Sequence, residues 1–409
     1  MSSSFQRKQP FFGVVSMPVI LSLLVMTIAT AQMAQTIFVP ALPLIGQGLQ
    51  ASNGYLQAIM AIYLTSYGLM QFVYGPLSDR IGRKKPLIFG MCLFIVGALI
   101  AGISQSINML LFASFLQGCG TASAGALSRS IPRDYYFGDR LKQFNSYISM
   151  AVIFSPLIAP FFGGWLAQTW GWHAVYFGLA LFGLIVVITL AYGFTESLPV
   201  NQRNSQPAIA AYKAVLSNRH FKGYMFALLA TFAGVAGFEA IAGILYGQSL
   251  KMTPFMVSCY FVAPIPGYLL GAFIASKQQS MNKLLYQGIA LLGAGALFLL
   301  IPGLFGFVFA WCLLAGSVLF FTGAGILYPT LTSAALEPFP RHAGVAGALL
   351  GGLQNFGAGV AATAMALIPM DGQLSIGLLS SVMVIIVIVA IQYAKDSRDH
   401  DIATHGAAH

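Results

Sequence analysis

Gly75-Pro76-Leu77-Ser78-Asp79-Arg80-Ile81-Gly82-Arg83-Lys84-Lys85 is a short polar stretch between two long apolar runs, residues 54–74 before it and 86–104 after it. Each flank has about 20 residues, the length a helix needs to cross the hydrocarbon core of a bilayer. The turn between them carries one carboxylate and four cations, so it stays in water while its flanks leave it. The same alternation repeats along the chain. Apolar runs occupy residues 14–38, 54–74, 86–104, 107–128, 143–166 and 172–194. After the polar stretch Glu196 to Arg219 they resume at 223–248, 254–276, 284–303, 306–331, 343–369 and 373–394.

Composition agrees with this pattern. Of 409 residues 58% are hydrophobic and 7% charged, where a soluble domain carries about 25% charged residues. Mean hydropathy is +0.80, and so little polar surface cannot cover a water-exposed globule. The expected fold is an all-α membrane protein with twelve transmembrane helices in two six-helix bundles. Residues 1–195 form the first bundle, 196–219 a linker, 220–395 the second bundle, and 396–409 a disordered tail. Arg7 and Lys8 followed by Met17 to Ala31 also resemble a signal peptide with Ala29-Thr30-Ala31 as its cleavage site. The apolar run continues to Pro40, and removal would leave an odd number of spans, so a retained first helix is expected.

The net charge of +10 does not mark a nucleic-acid binder, because the cations sit in short clusters between apolar runs without stacking aromatics. With the N-terminus placed in the cytoplasm, every Lys and Arg falls on the cytoplasmic side except Lys251. That bias sets orientation and places both termini inside, with the cations facing anionic lipid. Cys92, Cys119, Cys259 and Cys312 each lie in an apolar run, with no close pair. They read as four buried free thiols. No Lys is followed by Ser or Thr, so no Gly-Lys-Ser/Thr phosphate loop exists.

Two sets of six helices suggest a parallel repeat with a site between the halves. The opening turn has the spacing G-x-x-x-D-R-x-G-R, in which Gly75, Asp79, Arg80, Gly82 and Arg83 resemble the loop signature of the major facilitator superfamily. Asp79 is expected to pair with Arg83 and to cap a helix of the other half, as a latch that breaks when the halves rock. Gly271, Ala275 and Lys277 resemble the weaker second copy of that signature. In the fifth span Ser155-Pro156-Leu157-Ile158-Ala159-Pro160-Phe161-Phe162-Gly163-Gly164 resembles the antiporter motif of proton-coupled exporters. Ser146, Ser155 and Ala159 replace three family glycines, and helix bending alone would also explain the two prolines. Leu110 to Gln117-Gly118 resembles a further motif, with Ser114 where the family carries arginine.

With Gln32-Met33-Ala34-Gln35, Phe238-Glu239-Ala240, Glu337-Pro338-Phe339-Pro340 and Gly351-Gly352-Leu353-Gln354-Asn355, the chain resembles the Bcr/CflA-type drug/proton antiporters. That resemblance implies a multidrug exporter of the bacterial inner membrane, driven by the proton gradient with no ATP and no other cofactor. Its partners would be small amphipathic or lipophilic substrates, protons and membrane lipid. A chain with two repeats needs no second copy to form a pathway, so a monomer is expected.

Glu239 is the one acidic residue well inside a span. A charge at a helix centre is expensive in a bilayer and usually faces a cavity, so a proton and a cationic substrate can compete for this carboxylate. A packing role with a backbone hydrogen bond is the alternative. Gln32 and Gln35 share a face of the first span, Tyr63 and Tyr67 a face of the second, and Gln354 with Asn355 interrupts the eleventh. Each either lines a wet cavity or bonds between helices. A same-fold exporter or importer of a defined metabolite, such as a sugar or siderophore, is the rival reading. Against it stand the four Trp near span ends and the lack of a mid-span cation. His173, His220 and His342 also lie at span ends, so no enzyme site or metal centre is expected within the bilayer.

Overall fold

The computed structural model describes residues 17–136, 138–203, 209–339, 343–367 and 372–406. Arg7, Lys8, Pro340, Arg341, His342 and Asp371, which entered the sequence reading, lie outside them. No strand occurs among the described residues. The first half contains α1 (Met17–Thr36), α2 (Leu42–Leu49), α3 (Asn53–Ile81), α4 (Lys84–Gly102), α5 (Ile107–Tyr135), α6 (Gly138–Trp170) and α7 (Trp172–Gly193). A short α8 (Ile209–Ser217) leads to the second half: α9 (Arg219–Ile244), α10 (Pro254–Val262), α11 (Ile265–Lys277), α12 (Met281–Leu304), α13 (Ala310–Leu336), α14 (Ala343–Leu367) and α15 (Gln373–Gly406). Eleven described segments are long and apolar enough to cross a membrane, and α14 supplies the twelfth run seen in the sequence.

The helix boundaries follow local chemistry. Ser106, Asn218 and Thr253 accept hydrogen bonds from backbone N–H groups at the starts of α5, α9 and α10. Pro40 and Pro43 interrupt the first span between α1 and α2, and Pro264 separates α10 from α11, because proline removes a backbone donor. Inside the spans, where water is absent, hydroxyls bond back to the carbonyl four residues earlier, as Thr27, Ser114 and Thr231 do.

Each half repeats the same packing. In the first, Gly97 lies against the backbone of Ala113, and Gly120 against Gly90 and Phe94. In the second, Gly295 lies against Gly316 and Phe320, and Gly323 against Gly288 and Leu292. The register of α4 on α5 therefore recurs in α12 on α13. The most extensive contacts between the halves are α3 with α14 and α6 with α10. Gly68 meets the Phe356 backbone, Gly352 the Phe72 ring and Gly359 the Thr65 backbone. Small residues let helices approach where no hydrophobic effect drives them together. Lysines and arginines gather at one end of the bundles, the basic end, and Lys251 stands at the other, the far end.

Two expectations are corrected, the disordered tail and the four buried thiols. The tail after 395 is not irregular: α15 runs on to Gly406, since no Pro or Gly between Lys395 and Gly406 stops a helix begun in the span. The linker contains α8, whose Tyr212 ring meets Phe72 of α3 edge-on at 6.4 Å. The four thiols are free, but only Cys119 is buried; Cys92 and Cys259 are exposed and Cys312 intermediate. A span that is apolar all round does not announce which face meets lipid.

Gly68→Val adds bulk where the Phe356 backbone already sits. It should destabilise the protein by about 1–3 kcal/mol, read as a lower thermal midpoint in detergent than that of wild type.

Candidate functional site

Glu239 lies on α9, the helix most enclosed by its neighbours. Along it Phe226, Leu229, Phe232 and Glu239 keep some exposure while most other residues are buried. Their spacing places them on one side of the helix. Because α9 is flanked by α13, α14 and α15, this side turns toward the other half. Gln35, near the end of α1, donates from Nε2 to Glu239 Oε2 at 3.0 Å. Among the described residues, the only carboxylate deep in a span is thus bonded to an amide of the opposite bundle. Around this bond the far end is closed: Gly243 lies against Val39, and Gly247 against Pro43.

The fifth-span motif supplies the adjoining closure. Pro156 has no N–H for the carbonyl of Val152, and Gln32 donates to that carbonyl at 3.4 Å. Ser155 donates to Ala151 O at 2.6 Å within α6, and Ala159 is fully buried. Ser258 of α10 donates across the halves to Pro160 O at 2.7 Å. Gly163 packs on Ile37 of the same half, whereas Gly164 packs on Ser258 and the Pro254 carbonyl of the other. The two glycines therefore face opposite partners. Beyond this closure a cavity of about 670 Å³, bordered by Gln47, Gln248 and Lys251, opens at the far end; Glu239 is not part of its wall.

The remaining sequence candidates divide. Tyr63 is buried, its hydroxyl donating to Ala31 O at 2.7 Å and lying 3.0 Å from Thr121 Oγ1. Tyr67 stacks on it at 6.0 Å, with its hydroxyl against Gly125. Tyr63 thus ties α3 to α1 and α5 within the first bundle. Gln354 is buried, and Asn355, partly exposed, donates to Gly351 O of its own helix at 2.9 Å.

At the basic end Arg83 is the hub of a charge network. Its guanidinium bonds to Asp79 at 2.6 Å, Asp134 at 3.1 Å and Ser78 Oγ at 2.6 Å. Ser197 donates to Asp134 at 2.8 Å. Burial pulls the guanidinium down, but Asp134 and Asp79 outweigh it and hold Arg83 above the ordinary arginine value. Gly82, at φ +97°, makes the turn that brings Arg83 back under α3. Glu196 then accepts from the backbone N–H of Arg83 at 2.7 Å and of Lys84 at 3.2 Å. It caps α4, where helix dipole and free N–H groups favour a carboxylate. Arg80 is exposed, and Gly75 has open space around it. Asp79 bonds as expected to Arg83, and α4 of the same half takes its cap from Glu196. Asp134, Ser197 and Glu196 were missed as partners; the signal was their position at the ends of neighbouring spans on the same side as the turn.

Arg83→Ala leaves Asp134 without its cation and should cost on the order of 3 kcal/mol, measured as a lower thermal midpoint. Adding Asp134→Asn should restore part of that loss, because the carboxylate still without its cation is then Asp79, which is half exposed.

Comparison with known proteins places this architecture. The Major Facilitator Superfamily model matches residues 24–362. Multidrug resistance protein D of Escherichia coli is 39% identical over 371 residues, covering 90% of this chain and 94% of that protein. The bicyclomycin resistance protein homolog of Haemophilus influenzae is 26% identical, covering 78% of this chain and 81% of that one. A crystal structure of a bacterial homolog of the human lysosomal transporter Spinster, inward-facing and occupied, superposes with a TM-score of 0.71. That match has 14% sequence identity and covers 95% of this chain and 98% of that chain. With two repeated bundles, the charged turn between the second and third spans and a family match over most of its length, the chain belongs to the major facilitator superfamily.

Proposed function

We propose that this protein is a proton-coupled multidrug efflux antiporter of the bacterial inner membrane, acting as a monomer with no ATP or other cofactor. Its relatives' names, multidrug, bicyclomycin and chloramphenicol resistance among them, favour small amphipathic or lipophilic substrates. The basic end faces the cytoplasm, as do both chain ends, on the strength of the lysine and arginine bias.

The observation that carries the reading is the bond between Glu239 and Gln35 across the halves. Substrate enters from the basic end and rests on the apolar and aromatic surface between the bundles, where dispersion and burial tolerate many shapes. Rocking the halves apart at the far end must separate Glu239 from Gln35, exposing the carboxylate to water and to incoming protons. Closing the far end again around a bare carboxylate is unfavourable, because an incompletely paired charge would enter a low-dielectric interface. A proton, or a cationic substrate, removes that penalty. Coupling then needs one group: export proceeds with cargo, and the return proceeds with Glu239 protonated.

Glu239→Gln keeps the hydrogen-bonding shape but cannot exchange a proton. In reconstituted vesicles with an imposed pH gradient it should lose at least about 90% of gradient-driven dye transport while reaching wild-type levels in the membrane. Wild-type, protonophore-sensitive transport by this variant would remove Glu239 from the mechanism.

Gln35→Leu takes away the cross-half donor, and a hydrogen bond to a protonated carboxyl contributes about 0.5–1.5 kcal/mol. With the native cysteines replaced by serine, a cysteine introduced at Val39, which is fully buried, should then be labelled from the far side about 2- to 10-fold faster.

A further inference from the structure

The repeat in packing identifies a position that the second half has kept and another that it has lost. Gly120 and Gly323 occupy equivalent places, each meeting the glycine of the preceding helix, Gly90 or Gly288. Fourteen residues further along the same helices stand Asp134 and Glu337. Glu337 is therefore the counterpart of the carboxylate that holds Arg83. The loop opposite it, between α11 and α12, reads Gln278-Gln279-Ser280 and contains no arginine. Among the described residues Glu337 has no ion pair within 4.0 Å, and Lys277 lies over the Phe273 ring instead.

In place of the missing guanidinium the second half has a cavity of about 570 Å³. Glu337 stands at its edge with Gln279, Ser276 and Thr330, and Met281 and Leu284 provide apolar wall. A carboxylate and several hydroxyl and amide acceptors arranged beside an apolar surface match one kind of guest. It has a planar or compact N–H cation at one end and a hydrocarbon body at the other.

We infer that this cavity at the basic end of the second bundle binds a guanidinium or primary ammonium group carried on an apolar chain, with Glu337 as its counter-ion. The guest takes the place that Arg83 occupies in the first bundle. A free cationic amphiphile and an amine-headed phospholipid both have this chemistry. The site lies apart from Glu239 and stands whether or not Glu239 carries a proton.

The test uses full-length protein with Glu239→Gln as background, so that the central carboxylate does not contribute. In nanodiscs of phosphatidylcholine and phosphatidylglycerol, binding of n-dodecylguanidinium is measured by titration calorimetry. Saturable binding is expected, weakened at least tenfold by Glu337→Gln, which removes the counter-ion. Gln279→Arg should weaken it similarly by supplying the guanidinium from the chain. It should also raise the thermal midpoint, and that rise should vanish when Glu337→Gln is added. Replacing most of the lipid with phosphatidylethanolamine separates the sources. Competition with the probe assigns the site to the lipid amine, and undiminished binding assigns it to free cationic amphiphiles. Equal probe affinity in the background protein and in both added variants would overturn the inference.

Discussion

A carboxyl group within a lipid-embedded helix has no water to fall back on, and Glu239 takes its partner from the opposite bundle. The hydrogen bond from Gln35 therefore does more than satisfy a polar atom. It joins a titratable side chain of one six-helix bundle to an amide of the other. Anything that spreads the far end must break this bond or replace it. The apolar contacts nearby, Val39 on Gly243 and Pro43 on Gly247, give closure its shape but carry no charge.

Prolines and glycines have complementary work in this closure. Pro156 frees the Val152 carbonyl, which Gln32 then uses, and the Pro160 carbonyl accepts from Ser258 of the other half. In a soluble protein such carbonyls would turn to water; in a bilayer they demand a side chain, and so they become specific joints between helices. Gly163 and Gly164 let α6 approach a neighbour on each side. The fifth-span motif keeps this geometry although Ser155 and Ala159 stand where the family has glycine, because both are small enough for the packing.

The two halves share a packing register but not a charge pattern. The first half holds Arg83 between Asp79 and Asp134 and seals the turn with Glu196. The second retains the acid as Glu337 and leaves a cavity where the guanidinium would be. A built-in ion pair closes one bundle's basic end, while the other has no such pair among the described residues.

Period, length and charge bias were enough for an all-helical, membrane-spanning fold and for singling out Glu239 as an acid inside a span, because each depends on the chain's own apolar content and on water's absence from the bilayer. The pairing of Arg83 with Asp79 was also legible, since residues four apart on one turn must meet. Partners from distant helices were not. That Gln35 serves Glu239, that Tyr63 bonds to Ala31 beside Thr121, and that Glu196 caps α4 depend on how helices rotate about their axes. Spans that are apolar on every face carry almost no signal of that rotation. Only packing, through glycine contacts and the few polar groups that must find one another, decides which side of each helix faces the pathway.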